Sequence, residues 1–96
     1  MRSDYDSEAN SISIELEAVE SADRADQVHR RAIVALRDGR PVELQLLYPD
    51  LGLDEPLRAA AGRYGLDSEA LIAAATAAVA APDRVVTLDV AVRSAA

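Results

Sequence analysis

The stretch VHRRAIVALRDGRPVELQLL, residues 28–47, decides the fold of this chain. Asp38 and Gly39 favour the positive φ angles that a tight hairpin turn requires. On both sides of this turn, apolar side chains recur at every second position, which is typical of strands in a sheet. The stretch therefore predicts two antiparallel strands, residues 28–37 and residues 42–47, joined by a hairpin turn.

A further strand is predicted ahead of this hairpin. Residues 11–17 alternate strictly between apolar and polar side chains, so one face of the strand is expected to be buried. Residues 20–27 are charged and have no periodic pattern, and we interpret them as a loop. The acidic residues before position 11 are interpreted as a solvated turn. The apolar positions of the strand are Ile12, Ile14 and Leu16.

Two helices and a last strand are predicted after the hairpin. Asp54 is a suitable N-cap for the first helix, which ends where Gly65 fits the left-handed position after a helix. Asp67 begins the second helix, and Pro82 stops it. Residues 86–93 alternate between apolar and other side chains, so they predict the final strand.

The predicted order of elements is βββααβ. This order indicates a single α+β domain over residues 1–96, with an antiparallel sheet and two helices on one face of it. The core is expected to be thin, because the chain has no Trp or Phe and Ala supplies much of its apolar content. We therefore expect a homodimer, formed through the Ala-rich helix or through pairing of the final strand with another copy.

Composition excludes several classes of function. There is no Cys, so a disulfide framework, a Cys-ligated zinc site and a Cys nucleophile are excluded. The longest apolar run, residues 71–81, is shorter than the roughly 20 residues that cross a bilayer, and the N-terminal residues lack the apolar centre of a signal peptide. A cytoplasmic location without membrane attachment is predicted. The net charge of −7 argues against non-specific binding to nucleic acid.

The N-terminal part of the chain resembles a known bacterial family. Residues 5–14, YDSEANSISI, contain the opening Tyr-Asp-x-Glu-Ala-Asn followed by an alternating strand. This opening resembles the domain-of-unknown-function family 2283, and the hairpin that ends at Leu47 looks like the second and third strands of that family. The resemblance covers residues 5–47. It implies a small β-rich fold and no assigned activity, so it transfers no catalytic residue.

One hypothesis for the acidic N-terminal segment is a divalent-metal site of the calcium-loop type. Against that reading, Ala9 stands where the sharp turn of such a loop needs Gly, and a strand follows instead of a helix. We therefore predict no metal site and no cofactor. The positions that match some of the ligand spacings are Asp4, Asp6, Glu8, Asn10 and Glu15.

His29, Arg30 and Arg31 place the only His of the chain beside two cations. One interpretation is a strip that binds a phosphate or an acidic surface of a partner. The other is the exposed start of a strand whose Arg side chains pair with the acidic N-terminal strand, an ordinary cross-strand arrangement. We take these three residues as the candidate partner-binding residues.

No catalytic constellation is present in the sequence. There is no nucleophile elbow and no Gly-rich phosphate loop. Residues 57–79 have helix-turn-helix spacing, but the second helix carries no Arg, Lys, Asn or Gln with which to read bases. These features predict a non-catalytic protein-interaction or oligomerisation module.

Two alternatives to this function remain open. The first is a small DNA-binding transcriptional regulator or antitoxin-like protein that acts through a β-ribbon, since strands also read DNA. The second is a small-molecule-binding domain. The ribbon residues in the first alternative are Arg30, Arg31, Arg37 and Arg40.

Overall fold

The computed structural model describes residues 1–93 as six strands and two α-helices. A short 3₁₀ segment, Pro49–Leu51, connects the fifth strand to the first helix. Residues 94–96, which the single-domain prediction includes, lie outside the described residues. The strands are β1 (Arg2–Asp6), β2 (Ser11–Glu15), β3 (Arg24–His29), β4 (Ala32–Arg37), β5 (Arg40–Leu47) and β6 (Val85–Thr87); the helices are α1 (Asp54–Tyr64) and α2 (Ser68–Ala80).

All six strands belong to one antiparallel sheet with the order β3-β4-β5-β2-β1-β6. This confirms the predicted α+β class with an antiparallel sheet and two helices. The predicted order βββααβ is wrong, because five strands precede the helices and one follows them. Two strands, β1 and β3, account for the difference.

Strand β1 lies where a solvated turn was predicted. It is the second strand from one edge of the sheet, between β2 and β6. Its core-facing positions are Ser3 and Tyr5, opposite Ile14 and Ile12 of β2, so its buried face carries no aliphatic side chain. The Ser3 side chain is only 2% exposed, and its hydroxyl donates to the carbonyl oxygen of Ala74 in α2 at 2.9 Å. Because that hydrogen bond satisfies the hydroxyl, a polar residue is accommodated in the core.

Strand β3 lies where residues 20–27 were predicted to be a loop. The predicted strand 28–37 is in fact the end of β3, a turn at Arg30 and Arg31, and then β4. The position of β3 that pairs with buried Val34 is Asp26, so the apolar alternation of a strand is interrupted there. Asp26 accepts a hydrogen bond from the Tyr64 hydroxyl at 2.5 Å, which raises the pKa of Tyr64. A charge on the inner face also protects an edge strand from pairing with other chains.

The predicted final strand, residues 86–93, is shorter than expected. Only Val85–Thr87 forms β6, paired with β1. Leu88 still exchanges backbone hydrogen bonds with Met1, at 2.7 and 2.9 Å. Beyond it the chain leaves the sheet edge: Val92, like Leu88, packs against the core, and its carbonyl oxygen accepts from the backbone N–H of Asp67 at 3.0 Å. The alternation of this segment therefore reflects packing against the core more than strand pairing.

The core lies between one face of the sheet and the two helices. The second helix was predicted to begin at Asp67; α2 begins one residue later, and Asp67 is its N-cap, whose side chain accepts from the backbone N–H of Ala70 at 3.1 Å. Gly65 ends α1 in the left-handed conformation, as predicted. Asp54 is the first residue of α1 and not its N-cap, which is Leu53. Within residues 1–93, neither helix has the length and apolar character that crossing a membrane requires.

Large aliphatic side chains of the sheet supply most of the core volume, and Ala residues line the helix side, so α2 lies close to β1 and β2. The fully buried residues with the largest side chains include Ile12, Ile14, Val34, Leu44, Leu46, Leu57 and Leu71.

Candidate functional site

The turn that joins β3 to β4 contains all three candidate partner-binding residues. We call residues 29–31 the basic turn. Strand β5 ends beside it, because the backbone N–H of Leu47 donates to the Arg31 carbonyl oxygen at 2.8 Å. The chain continues from Leu47 into Tyr48 and the 3₁₀ segment, and then into α1. The basic turn therefore faces the connection between the sheet and the first helix.

Arg31 ties these two parts of the chain together. Its guanidinium donates to the carbonyl oxygens of Leu47 at 3.3 Å, Tyr48 at 2.8 Å and Gly52 at 3.0 and 3.1 Å. One interpretation of the sequence paired the Arg side chains with the acidic N-terminal strand. For Arg31 this is wrong, because its acceptors are neutral carbonyl oxygens of residues 47–52. A planar group with five N–H donors suits such a set of acceptors. Arg31 thus holds residues 47–52 in place.

His29 is fixed by hydrogen bonds at both ring nitrogens. Nδ1 accepts from the backbone N–H of Arg31 at 3.1 Å, so the proton of the neutral ring is on Nε2. Nε2 in turn donates to Oε1 of Glu55, in the first turn of α1, at 3.0 Å. This hydrogen bond lowers the pKa of the Glu55 carboxyl below its ordinary value. The ring therefore connects the basic turn to the start of α1.

Arg30 differs from its two neighbours, because its side chain is exposed and takes no part in these contacts. Its backbone carbonyl oxygen accepts from the Gln27 side chain at 3.4 Å. Within residues 1–93, its guanidinium has no hydrogen-bond or salt-bridge partner. Arg30 is therefore available to an external ligand.

Tyr48 has an unusual backbone conformation, with φ 50° and ψ 61° in the left-handed region. The other non-Gly residues with positive φ among residues 1–93 are Asn10, Asp38 and Asp83, which are the residue types that tolerate this region. For a bulky residue it costs about 1–2 kcal/mol. Yet the Tyr48 side chain is 53% exposed, so burial of the ring offsets only part of this cost.

Leu51 is the most exposed large apolar residue of the described chain, at 68%. It lies across from the basic turn, and the two sides enclose an open cleft of about 560 Å³. This volume lies within the roughly 300–1,000 Å³ that ligand sites occupy. The cleft combines aromatic, aliphatic and cationic groups, a composition typical of protein-binding surfaces. Its lining residues are His29, Arg30, Arg31, Tyr48, Leu51 and Glu55.

The four Arg residues of the β-ribbon alternative do not form one strip. Arg37 and Arg40 lie at the turn between β4 and β5, at the far end of β4 from the basic turn. Six residues of strand separate the two ends, a distance of about 20 Å. Arg40 is occupied by Glu17, with 3.0 Å between Nη2 and Oε1. The basic turn therefore lines the cleft, whereas Arg37 and Arg40 lie outside it.

The acidic N-terminal positions are used in the turn between β1 and β2. Oδ1 of Asp6 accepts from the backbone N–H groups of Glu8 and Ala9 at 3.0 and 3.1 Å. Asn10 accepts from the Tyr5 hydroxyl and donates to Asp50. In the part of the chain that the structure describes, no group of three or more His, Cys, Asp or Glu side chains is arranged to hold a metal ion.

Sequence reasoning missed three residues of the cleft: Tyr48, Leu51 and Glu55. The pair Tyr48-Pro49 even favours the opposite conformation, because a residue before Pro is normally extended. A sequence signal was available only for Leu51, an apolar residue in a turn without a periodic pattern. The cleft becomes apparent only when β5 and the basic turn are adjacent.

Comparison of the chain with family models, with curated proteins and with solved structures gave no match. The resemblance of residues 5–47 to the domain-of-unknown-function family 2283 stays a prediction. The function is therefore argued from the cleft alone.

Proposed function

We propose that this domain is a non-catalytic protein-interaction module that binds another protein through the cleft beside the basic turn. The proposal rests on the conformation of Tyr48: its backbone is in the left-handed region, and yet its ring is half exposed. Strained backbone conformations of this kind concentrate at functional sites. A Gly at this position relieves the strain, so a Tyr there has a role that a Gly does not supply.

The surroundings of Tyr48 support a protein ligand. Tyr and Arg, together with Trp, are enriched among the residues that dominate binding energy at protein interfaces. Leu51 adds exposed apolar surface beside the ring. Arg31 holds the backbone of residues 47–52, so little conformational freedom is lost when a partner binds.

The homodimer predicted from the thin core is a separate part of the proposal. In this part of the proposal, the two copies contact each other away from the cleft, so that the cleft stays accessible. The cytoplasmic location predicted from the sequence is part of the same proposal. Sedimentation of the purified protein at micromolar concentration measures the oligomeric state, and a stable monomer removes this part without affecting the cleft.

A matched pair of variants tests the cleft itself. Tyr48→Gly removes the ring and relieves the strain, whereas Asp38→Gly relieves the same kind of strain at the opposite end of β4. Both are used as baits in quantitative affinity capture from cells that contain the protein, and a captured protein is then purified for direct binding. We expect Tyr48→Gly to lose the partner and Asp38→Gly to keep it. Equal capture by both baits contradicts the proposal.

A further inference from the structure

We propose that the partner binds as a segment in which a carboxylate side chain contacts Arg30 and a neighbouring large apolar side chain contacts Tyr48 and Leu51. This inference rests on the proposed function and specifies its ligand. Two features of the cleft support it. The positive charge of Arg30, which is unpaired within residues 1–93, points to the carboxylate of the ligand, and the exposed apolar surface of Tyr48 and Leu51 points to its apolar side chain.

The charge in the cleft is opposite to that of the whole chain. Two guanidinium groups, of Arg30 and Arg31, line the cleft together with the one carboxylate of Glu55, which leaves one excess positive charge when His29 is neutral. The chain as a whole has a net charge of −7. A local positive site on an acidic protein favours an anionic group and disfavours a cationic one.

Arg30 is the residue through which this charge reaches a ligand. The Arg31 guanidinium donates to backbone carbonyl oxygens, and Oε1 of Glu55 accepts a hydrogen bond from His29. The guanidinium of Arg30, in contrast, has no partner within residues 1–93. A guanidinium binds a carboxylate through two parallel hydrogen bonds. Glu55 lies near enough to act on Arg30 electrostatically, so it competes with the carboxylate of the ligand.

The apolar part of the ligand follows from Tyr48 and Leu51. Both side chains are more than half exposed and line the same cleft as Arg30. A free anion such as acetate leaves this surface in water. A peptide that places a Leu next to its carboxylate side chain covers it, and removal of apolar surface from water is favourable.

Two peptides that differ only in a carboxylate against a neutral amide test the carboxylate. The probes are acetyl-Leu-Glu-Leu-amide and acetyl-Leu-Gln-Leu-amide, and binding is followed at millimolar concentration through backbone amide NMR shifts of residues 29–31 and 48–52. We expect the Glu peptide to bind up to about fivefold more tightly than the Gln peptide at low salt, which is the upper end of the range for an exposed ion pair. We expect the preference to fall as salt is added.

Three variants locate the preference. Arg30→Gln is expected to abolish the preference for the Glu peptide, whereas Arg37→Gln at the opposite end of β4 keeps it. Glu55→Gln is expected to increase it, because the competing carboxylate is removed. Equal binding of the two peptides, a preference that survives Arg30→Gln, absence of any shift change, or acetate alone reproducing all the shifts overturns the inference. If these peptide results are negative while capture of a partner still depends on Tyr48, the proposed function stands and only the ligand assignment fails.

Discussion

Strand β4 is flanked by a turn at each end, and the two turns are held in different ways. At one end, Asp38 and Gly39 adopt positive φ angles of 53° and 78°, so the local backbone chemistry reverses the chain. At the other end, neither Arg30 nor Arg31 has a positive φ. The strand register is irregular beside both turns, between Gln27 and His29 at one and between Ala35 and Leu36 at the other.

The difference shows where a surface for binding is built. The Asp-Gly turn, residues 38–39, reverses the chain through the positive φ angles of its own two residues, and the backbone N–H of Asp38 also donates to Oδ2 of Asp23 at 3.1 Å. The basic turn depends on contacts with residues 16 to 26 positions away in the chain, from the carbonyl oxygen of Leu47 to the carboxylate of Glu55. Those contacts bring the basic turn, the 3₁₀ segment and the start of α1 together, and the cleft lies between them.

The largest difference between the two turns is expected on removal of an Arg side chain. Arg31→Ala loses the side-chain hydrogen bonds to the carbonyl oxygens of Leu47, Tyr48 and Gly52. We expect the free energy of unfolding to fall by about 2–3 kcal/mol, since bonds from a charged donor are the strong ones. Arg40→Ala loses only an exposed ion pair with Glu17 and is expected to have no measurable effect. Urea denaturation measures both. Equal losses in the two variants mean that the basic turn is no better supported than the Asp-Gly turn.

A smaller effect is expected at two residues with left-handed backbone, Gly39 in the Asp-Gly turn and Tyr48 beside the basic turn. Gly39 has φ 78°, and an added Cβ there meets no atom within 4 Å, so Gly39→Ala tests backbone conformation alone. We expect a loss of about 1 kcal/mol. At position 48 the Tyr48→Gly variant is expected to be more stable than Tyr48→Ala by about the same amount, because both lack the ring and differ in tolerance of positive φ. Thermal or urea unfolding that ranks Ala above Gly at position 48 contradicts the assigned conformation.

The smallest effects are expected in the pKa values of two carboxylates, Glu17 beside the Asp-Gly turn and Glu55 beside the basic turn. The hydrogen bond from Arg40 lowers the pKa of Glu17, and the one from His29 lowers the pKa of Glu55, both from an ordinary value of 4.5. Because the pKa of each is lower in the folded state, each carboxylate stabilises the fold above its unfolded pKa. That contribution is lost as the pH falls through the folded pKa.

NMR titration of the Glu side-chain carboxyl carbons checks these assignments. Arg40→Ala is expected to raise the pKa of Glu17 and leave that of Glu55 unchanged, and His29→Ala is expected to do the reverse. A single variant that moves both pKa values shows that the two ends of β4 are electrostatically coupled, contrary to their separation in the sheet.

The features that sequence reasoning predicted correctly are those set by neighbouring residues. Asp38-Gly39 predicts its own turn, Asp67 caps the helix that follows it, and Gly65 ends the helix before it. Strand β2 was predicted because its alternation is complete. Each of these signals lies within a few residues of the structure that it specifies.

The features that sequence reasoning missed depend on distant partners. Ser3 is buried because its hydroxyl donates a hydrogen bond to a helix carbonyl oxygen, and Asp26 faces inward because the Tyr64 hydroxyl donates to it. Neither strand shows the apolar alternation that identifies strands, so β1 and β3 were interpreted as a turn and a loop. The cleft was located only in part, from the basic residues on one side of it.

By itself, the sequence determined an α+β chain with an antiparallel hairpin at its centre, one helix ended by Gly65, a second begun at Asp67, and no Cys chemistry, because local propensity and apolar periodicity act over short stretches of chain. Only the tertiary structure decided the six-strand order, the inward placement of Ser3 and Asp26, and the cleft around Tyr48. The physical reason is that a buried polar group or a strained residue is stabilised by hydrogen-bond partners far along the chain, and those partners are adjacent only after folding.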